Sequence, residues 1–350
     1  MADLIVEQVG ALARLRLNRP EALNALTHAM VHDMTAALDR FQDDPGVAAI
    51  VISGEGTRGL CAGGDIRSLY EAPRIADGPS MIFWRDEYRL NARIARLAKP
   101  CVALMDGFVM GGGIGISAHA ALRVATDRSK IALPECAIGF VPDVGATWLL
   151  PRAPGQLGLW MGMTGRSLGA ADAILLGFAD LHVPAAGLDA LVPALAALPP
   201  DAGLAGVRAC LAAHATDPGP APLADHRAMI DRVFAADRLE DILAALADEP
   251  GEFAARTLAD LRAKSPTALK LALRLARKGR LVASLEAALE LEYAACRALV
   301  VGPDFYEGIR AAIIDKDRAP KWMPARPEDV PDDWVENALQ VTADRVFPAV

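Results

Sequence analysis

Paired cysteines, long apolar runs and an excess of positive charge are all missing from this 350-residue chain, and each absence closes off a class of protein. Its five cysteines (Cys61, Cys101, Cys136, Cys210 and Cys296) lie far apart, with no C-x-x-C spacing. That pattern argues against a disulfide scaffold or a cysteine zinc site and for buried thiols in a reducing compartment. No uninterrupted apolar run reaches the ~18 residues a membrane span needs. The opening Met1-Ala2-Asp3-Leu4 lacks the basic and apolar blocks of a secretory signal. The expectation is a cytoplasmic protein with no membrane partner. With 36 basic and 44 acidic residues the formal charge is −8, which disfavours nucleic acid as a partner. What is present, 53% hydrophobic and 23% charged residues, suits a folded globular chain and excludes disorder over most of its length.

The pattern along the chain predicts strands at 4–9 and 11–17, then a helix capped by Thr27 and running to about Phe41. The run from Val47 to Ile52 reads as a strand buried on both faces, followed by a glycine-rich loop to Asp65. A helix over 80–97 stops at Lys99-Pro100 and leads to a buried strand, Cys101 to Met105. After the glycines at 111–113 the spacing predicts a short helix to about Ala120 and strands near 122–125 and 130–132. This alternation is an α/β arrangement with parallel strands. Beyond about Val144 strand signals nearly vanish. A helix is expected at 188–198, a linker at 214–222, and helices from Leu223 to about Ile314 with breaks near Pro250, Pro266 and Gly302. The division expected is a catalytic core over 1–200 and a helical C-terminal region with a proline-rich tail over 201–350.

Some motifs are weak. Gly113-x-Gly115-x-x-Ala118 mimics a dinucleotide fingerprint, but the helix after it is too short and Asp127 comes too early. Ser117 sits in a would-be nucleophile elbow whose last glycine is replaced by His119. His28 and His32 share a helix face without a third ligand, so no metal is implied. Two glycine loops, Ala62 to Asp65 and Gly111 to Gly113, carry more, because backbone N–H groups converging on one point can hold an oxygen gaining charge. Their alternative is close packing. Glu135 and Asp143 stand eight residues apart in an otherwise apolar segment. Burial would raise their pKa values and make them usable as acids or bases. The alternatives are a salt-bridged carboxylate for Glu135 and a helix N-cap for Asp143.

Four ordered segments together resemble the crotonase superfamily, that of enoyl-CoA hydratase and isomerase. They are Asn18-Arg-Pro-Glu-Ala-Leu-Asn-Ala-Leu26, Cys61-Ala-Gly-Gly-Asp-Ile66, Gly107-Phe-Val-Met-Gly-Gly-Gly113, and Leu133-Pro-Glu135 through Pro142. The resemblance implies a fold of stacked ββα units with a helical C-terminal region. Within the superfamily the likeness is to the 3-hydroxyisobutyryl-CoA hydrolases. It is carried by Phe83-Trp-Arg-Asp-Glu87-Tyr-Arg-Leu-Asn91, by the Glu135 and Asp143 pair, and by the extra C-terminal length. Two further segments, Asp304-Phe-Tyr-Glu-Gly-Ile-Arg310 and Ile314-Asp-Lys-Asp-Arg-Ala-Pro-Lys-Trp322, add to it. A hydratase has a second glutamate shortly after the triple glycine. Gly115 stands there instead, and Asp143 stands where a hydratase has glycine.

The resemblance implies a thioester hydrolase in which the N–H groups of Gly64 and Gly112 hold the thioester oxygen. Glu135 attacks the carbonyl carbon or activates water against it, and both routes are open. Asp143 would hold the substrate's 3-hydroxyl or orient the water, and Glu87 would line the acyl pocket. By the same analogy CoA would lie over Ala22 and Leu23, with Ala62, Asp65 and Ile66 near the adenine end. Phe305, Arg310, Lys316 and Lys321 would cover the base or pair with phosphates, against the alternative of ordinary surface charge. CoA enters as part of the substrate, with no separate cofactor, valine breakdown is the implied pathway, and a homo-oligomer is the family habit. An enoyl-CoA hydratase or dienoyl-CoA isomerase is the second reading. A non-catalytic, RNA-binding relative is the third, opposed by both carboxylates and the net charge.

Overall fold

The computed structural model describes residues 2–75 and 78–348. They form two compact units that do not follow chain order. The first takes Met1–Gly64, Arg89–Ile131 and Leu168–Ala221, and the second Asp65–Tyr88, Ala132–Ser167 and Pro222–Val350. The boundary expected at 200 therefore falls inside the first unit.

The first unit holds the strands β1 (Leu4–Val9), β2 (Leu12–Leu17), β3 (Ala49–Gly54), β4 (Gly59–Cys61), β5 (Cys101–Met105), β6 (Phe108–Met110), β7 (Leu122–Ala125) and β9 (Leu181–His182), with β8 (Lys130–Ala132) at its edge. One sheet has the order β1-β2-β3-β5-β7-β9 and the other β4-β6-β8. From β3 to β8, successive strands alternate between the two sheets, which is the layered ββα repeat the resemblance implies. The β1–β2 pair is antiparallel, and each later pair of the larger sheet is parallel. Parallel strands are covered on both faces, so β3 and β5 read as continuous apolar runs. Leu12, Val51, Val102 and Val124 pack with Leu191, Leu195, Val207 and Leu211 of the helices Leu188–Ala196 and Gly203–His214. Each such side chain contributes ~1.5–3 kcal/mol on burial.

Local sequence sets most boundaries. Thr27 caps the helix His28–Gln42 by accepting from Met30 N at 3.2 Å. The strand expected at 47–52 begins two residues later, because Gly46 N and Val47 N are held by Asp44 in a turn. The helix after the triple glycine spans only Gly112–Gly115. The short strands β4, β6 and β9 were not expected; two or three residues carry no period to read.

The second unit is mainly helical. Pro266 opens the helix Pro266–Gly279 behind the cap Ser265, and Ser284 caps Leu285–Leu299. Pro303–Ile309 follows Gly302 and runs into a turn of π-helix, Arg310–Ile314. The expected breaks at Pro250, Pro266 and Gly302 are all helix starts or ends. No described helix is long and apolar enough to cross a membrane.

Candidate active site

In the second unit four carboxylates are buried together. Glu135 opens a 3-10 turn, Glu135–Ile138, behind Pro134, and its Oε2 is buried without a hydrogen-bond partner. Among the described residues no cation pairs with it, so the salt-bridged alternative fails. Asp143 follows Pro142 and accepts from Tyr88 Oη at 2.7 Å. It is not an N-cap, since Gly145 occupies that position for the helix Ala146–Leu149. Glu87, one residue before Tyr88 on the helix Pro79–Ala95, also has a buried, unpartnered oxygen. The fourth is Glu292, with no exposed surface, from the helix Leu285–Leu299.

Their electrostatics follow from that burial. Desolvation holds Glu135 and Glu87 well above the usual carboxylate range, and the nearby charge of Asp143 pushes both further. Burial lifts Asp143 to about 7 against the hydrogen bond from Tyr88, which favours its charged form. Glu292 rises to about 8, by burial first and the charge of Asp143 second, opposed by the backbone N–H groups of Gly145 and Thr147. Acids crowded in one apolar region cannot all be ionised near neutrality, so the cluster keeps protons that chemistry can use.

Glu292, Tyr88 and Cys296 were not among the expected site residues. A signal existed for the first: Leu285, Leu289, Glu292, Cys296 and Leu299 form one buried helical stripe, and a glutamate within it needs a partner.

In the first unit the two glycine loops touch. A Cβ on Gly113 would lie 2.3 Å from Cys61 O, and one on Gly63 would lie 3.8 Å from Gly112 N. Only chains without side chains approach so closely. Gly112 is the first residue of its helical turn, where N–H groups lack partners within the helix. Gly64 bridges to Leu26, whose N–H donates to Gly63 O at 2.8 Å. Leu23 and Ala62 are joined by Ala62 N donating to Leu23 O at 3.0 Å, beside the 3-10 turn Pro20–Ala22. Asn24, buried at φ +56, holds this segment by donating to Gly59 O and Glu55 O while accepting from Arg19 N.

The remaining expected CoA residues lie in the second unit. Asp65 caps the helix Ile66–Glu71. Phe305 is 1% exposed, enclosed by Trp84, Phe140 and Tyr306, so its ring faces a core and offers no open face to a base. Arg310 is held by Glu307, Asp315 and Asp317, so its charge is already matched within the chain. Lys316 and Lys321 are exposed, and Lys321 uses its backbone N–H to reach Glu307.

A family model described as enoyl-CoA hydratase/isomerase matches residues 12–339. A Gallus gallus protein named 3-hydroxyisobutyryl-CoA hydrolase, mitochondrial, is 37% identical over 97% of this chain and 89% of its own. A solved structure titled carnitinyl-CoA dehydratase, from Mycobacterium thermoresistibile, is 41% identical, with a TM-score of 0.92 and 99% of both chains covered. Another, titled enoyl-CoA hydratase, from Rhodobacter sphaeroides 2.4.1, is 44% identical, with a TM-score of 0.87 and 97% of both chains covered.

Proposed function

The chain belongs to the enoyl-CoA hydratase/isomerase family, and we propose that within it the protein hydrolyses the thioester of a short 3-hydroxyacyl-CoA, 3-hydroxyisobutyryl-CoA first among them, to the free acid and CoA. The observation that carries this reading is the carboxylate set: Glu135 with a free buried oxygen, Asp143 eight residues on, and Gly115 where a hydratase would have its second glutamate. The near full-length likeness to proteins named 3-hydroxyisobutyryl-CoA hydrolase supports it.

On this reading the N–H groups of Gly64 and Gly112 take the thioester oxygen as charge develops, each worth about 3–4 kcal/mol at the transition state. Glu135 either attacks the carbonyl carbon itself, giving an acyl anhydride that water then cleaves to the free acid, or deprotonates a water that attacks in its place. CoA leaves as the thiol, taking a proton. Asp143 accepts from the substrate's 3-hydroxyl or orients the water, and Glu87 lines the acyl pocket. A hydroxyl matched to a buried carboxylate discriminates strongly, because an acyl group lacking it leaves a polar partner unpaired. For CoA the reading keeps Ala22, Leu23, Ala62, Asp65 and Ile66, with Lys316 and Lys321 for phosphates.

The second reading, addition or removal of water at a double bond, draws on the titles of the two solved structures. Thiol release decides between them. The hydrolase reading expects free CoA from 3-hydroxyisobutyryl-CoA and none from crotonyl-CoA, with release lost in Glu135→Ala. Loss of the enoyl absorbance of crotonyl-CoA without thiol release would establish the hydratase instead.

A further inference from the structure

We infer that the helix Leu285–Leu299 fixes Asp143 from two sides, with Glu292 and Tyr88 as positioning residues for its carboxylate. The inference rests on the role given to Asp143 above and explains what the helical C-terminal region contributes to it.

The first contact runs through the backbone. Val144, directly after Asp143, sits at φ +54, and Gly145 at φ +88. A β-branched residue in that region is a genuine outlier, and such strain persists only where surrounding contacts over-determine it. Those contacts come from Glu292. Its Oε2 accepts from Gly145 N at 2.8 Å and its Oε1 from Thr147 N at 2.6 Å. With no exposed surface, both oxygens are spent on the turn that carries Asp143. The second contact runs through side chains. One helical turn beyond Glu292, Cys296 Sγ lies 3.0 Å from Tyr88 Oη, and Tyr88 donates to Asp143 Oδ2 at 2.7 Å.

The titratable groups around Asp143 are Glu87 and Tyr88 from the helix Pro79–Ala95, Glu135 from its 3-10 turn, and Glu292 and Cys296 from Leu285–Leu299. All are acids. Tyr88 is the donor that favours the ionised carboxylate, and Glu292 reaches Asp143 through the fold of the turn.

The test compares 3-hydroxyisobutyryl-CoA with isobutyryl-CoA, the same acyl chain without the hydroxyl, in Glu292→Gln, Glu292→Gln with Val144→Gly, Tyr88→Phe and Asp143→Asn. In Glu292→Gln an amide NH₂ faces one of the two N–H donors, so the turn loses one grip. The rate on the hydroxylated substrate is expected to fall roughly 10–100-fold, the equivalent of one buried N–H donor left without its partner. The rate on isobutyryl-CoA should stay nearly constant, and general destabilisation would lower both together. Adding Val144→Gly removes the side-chain penalty at φ +54 and should recover part of the loss. Tyr88→Phe should move the acid limb of the pH–rate profile upward, because Asp143 loses the donor that favours its charge.

If Asp143→Asn keeps the preference for the hydroxyl, the hydroxyl-holding role of Asp143 on which the inference rests fails, and the hydroxyl needs another partner. If Asp143→Asn loses that preference while folded Glu292→Gln and Tyr88→Phe keep the wild-type ratio and limb, the positioning inference is overturned and the role of Asp143 stands. Should Glu292→Gln fail to fold, Tyr88→Phe decides alone: a shifted limb supports the inference and an unchanged one overturns it.

Discussion

Asp143→Asn should make the protein more stable at pH 8 while it impairs turnover. The folded carboxyl titrates at about 7 against an ordinary 3.8. Between those values the folded state holds a proton that the unfolded chain has released. Raising the pH through that window therefore favours unfolding, and above it the penalty is constant. At ~1.4 kcal/mol per pH unit the full penalty is about 4 kcal/mol, or about 2 kcal/mol if the interior relaxes around the charge. Asparagine never ionises, and its Oδ1 can still accept from Tyr88 Oη. For 350 residues, an unfolding entropy of ~2.1 cal/mol/K per residue converts 2–4 kcal/mol into a rise in Tm of about 3–5 °C at pH 8. At pH 4 wild-type Asp143 is protonated when folded and only partly ionised when unfolded, so the gain should shrink to about 0.5 kcal/mol. Thermal melts of both proteins at pH 4, 6 and 8 test the argument. An equal change in Tm at all three values, or a variant less stable than wild type at pH 8, refutes it.

The other expectations concern turnover and packing. Thiol release should rise with pH along an acid limb shifted above the ordinary carboxylate range, because Glu135 must be ionised to act and burial favours its protonated form; a rate profile without an acid limb would remove Glu135 from the mechanism. Glu135→Gln should lower release at least about 10²–10⁴-fold at every pH while circular dichroism stays unchanged, and retained activity would point to another nucleophile. Gly113→Ala drives a methyl to 2.3 Å from Cys61 O and should cost about 1–3 kcal/mol in stability as the two glycine loops are forced apart; a denaturation midpoint equal to wild type would show that the loops move freely.

The alternating architecture was legible because parallel strands must be apolar throughout, and the runs Val47 to Ile52 and Cys101 to Met105 satisfy that rule locally. Glu135 and Asp143 were visible because acids stand out in an apolar segment. The division into units was not legible, because pieces as distant as Asp65–Tyr88 and Pro222–Val350 share one unit and no local signal encodes that. Phe305, expected to cover the base, is enclosed by other rings, and the motif that suggested it says nothing about which face of its helix is buried. Glu292 was overlooked because it lies far along the chain in an alanine-rich helix, where one acid looks like surface.

Most residues of the first unit obey local rules: apolar strands, capped helices, glycines where backbones touch. Exceptions occur in both units, with Leu23 and Asn24 left-handed in the first, but the buried acids Glu87, Glu135, Asp143 and Glu292 all lie in the second, where Val144 is also held left-handed. Chance would scatter such violations, because each costs stability and none offsets another; gathered around one carboxylate, they read as features kept for chemistry. The same helices also offset the cost. Leu269, Leu271, Leu273 and Leu275 are buried along Pro266–Gly279, and Leu285, Leu289 and Leu299 along Leu285–Leu299. At ~1.5–3 kcal/mol for each side chain, those leucines outweigh a few ionisation penalties of the size worked out for Asp143. The stripe that stabilises the helix Leu285–Leu299 is thus the stripe that carries Glu292 and Cys296 to the turn and the tyrosine they hold. Shortening this helix should therefore remove stability and the aim of Asp143 together, and no truncation of it would separate the two.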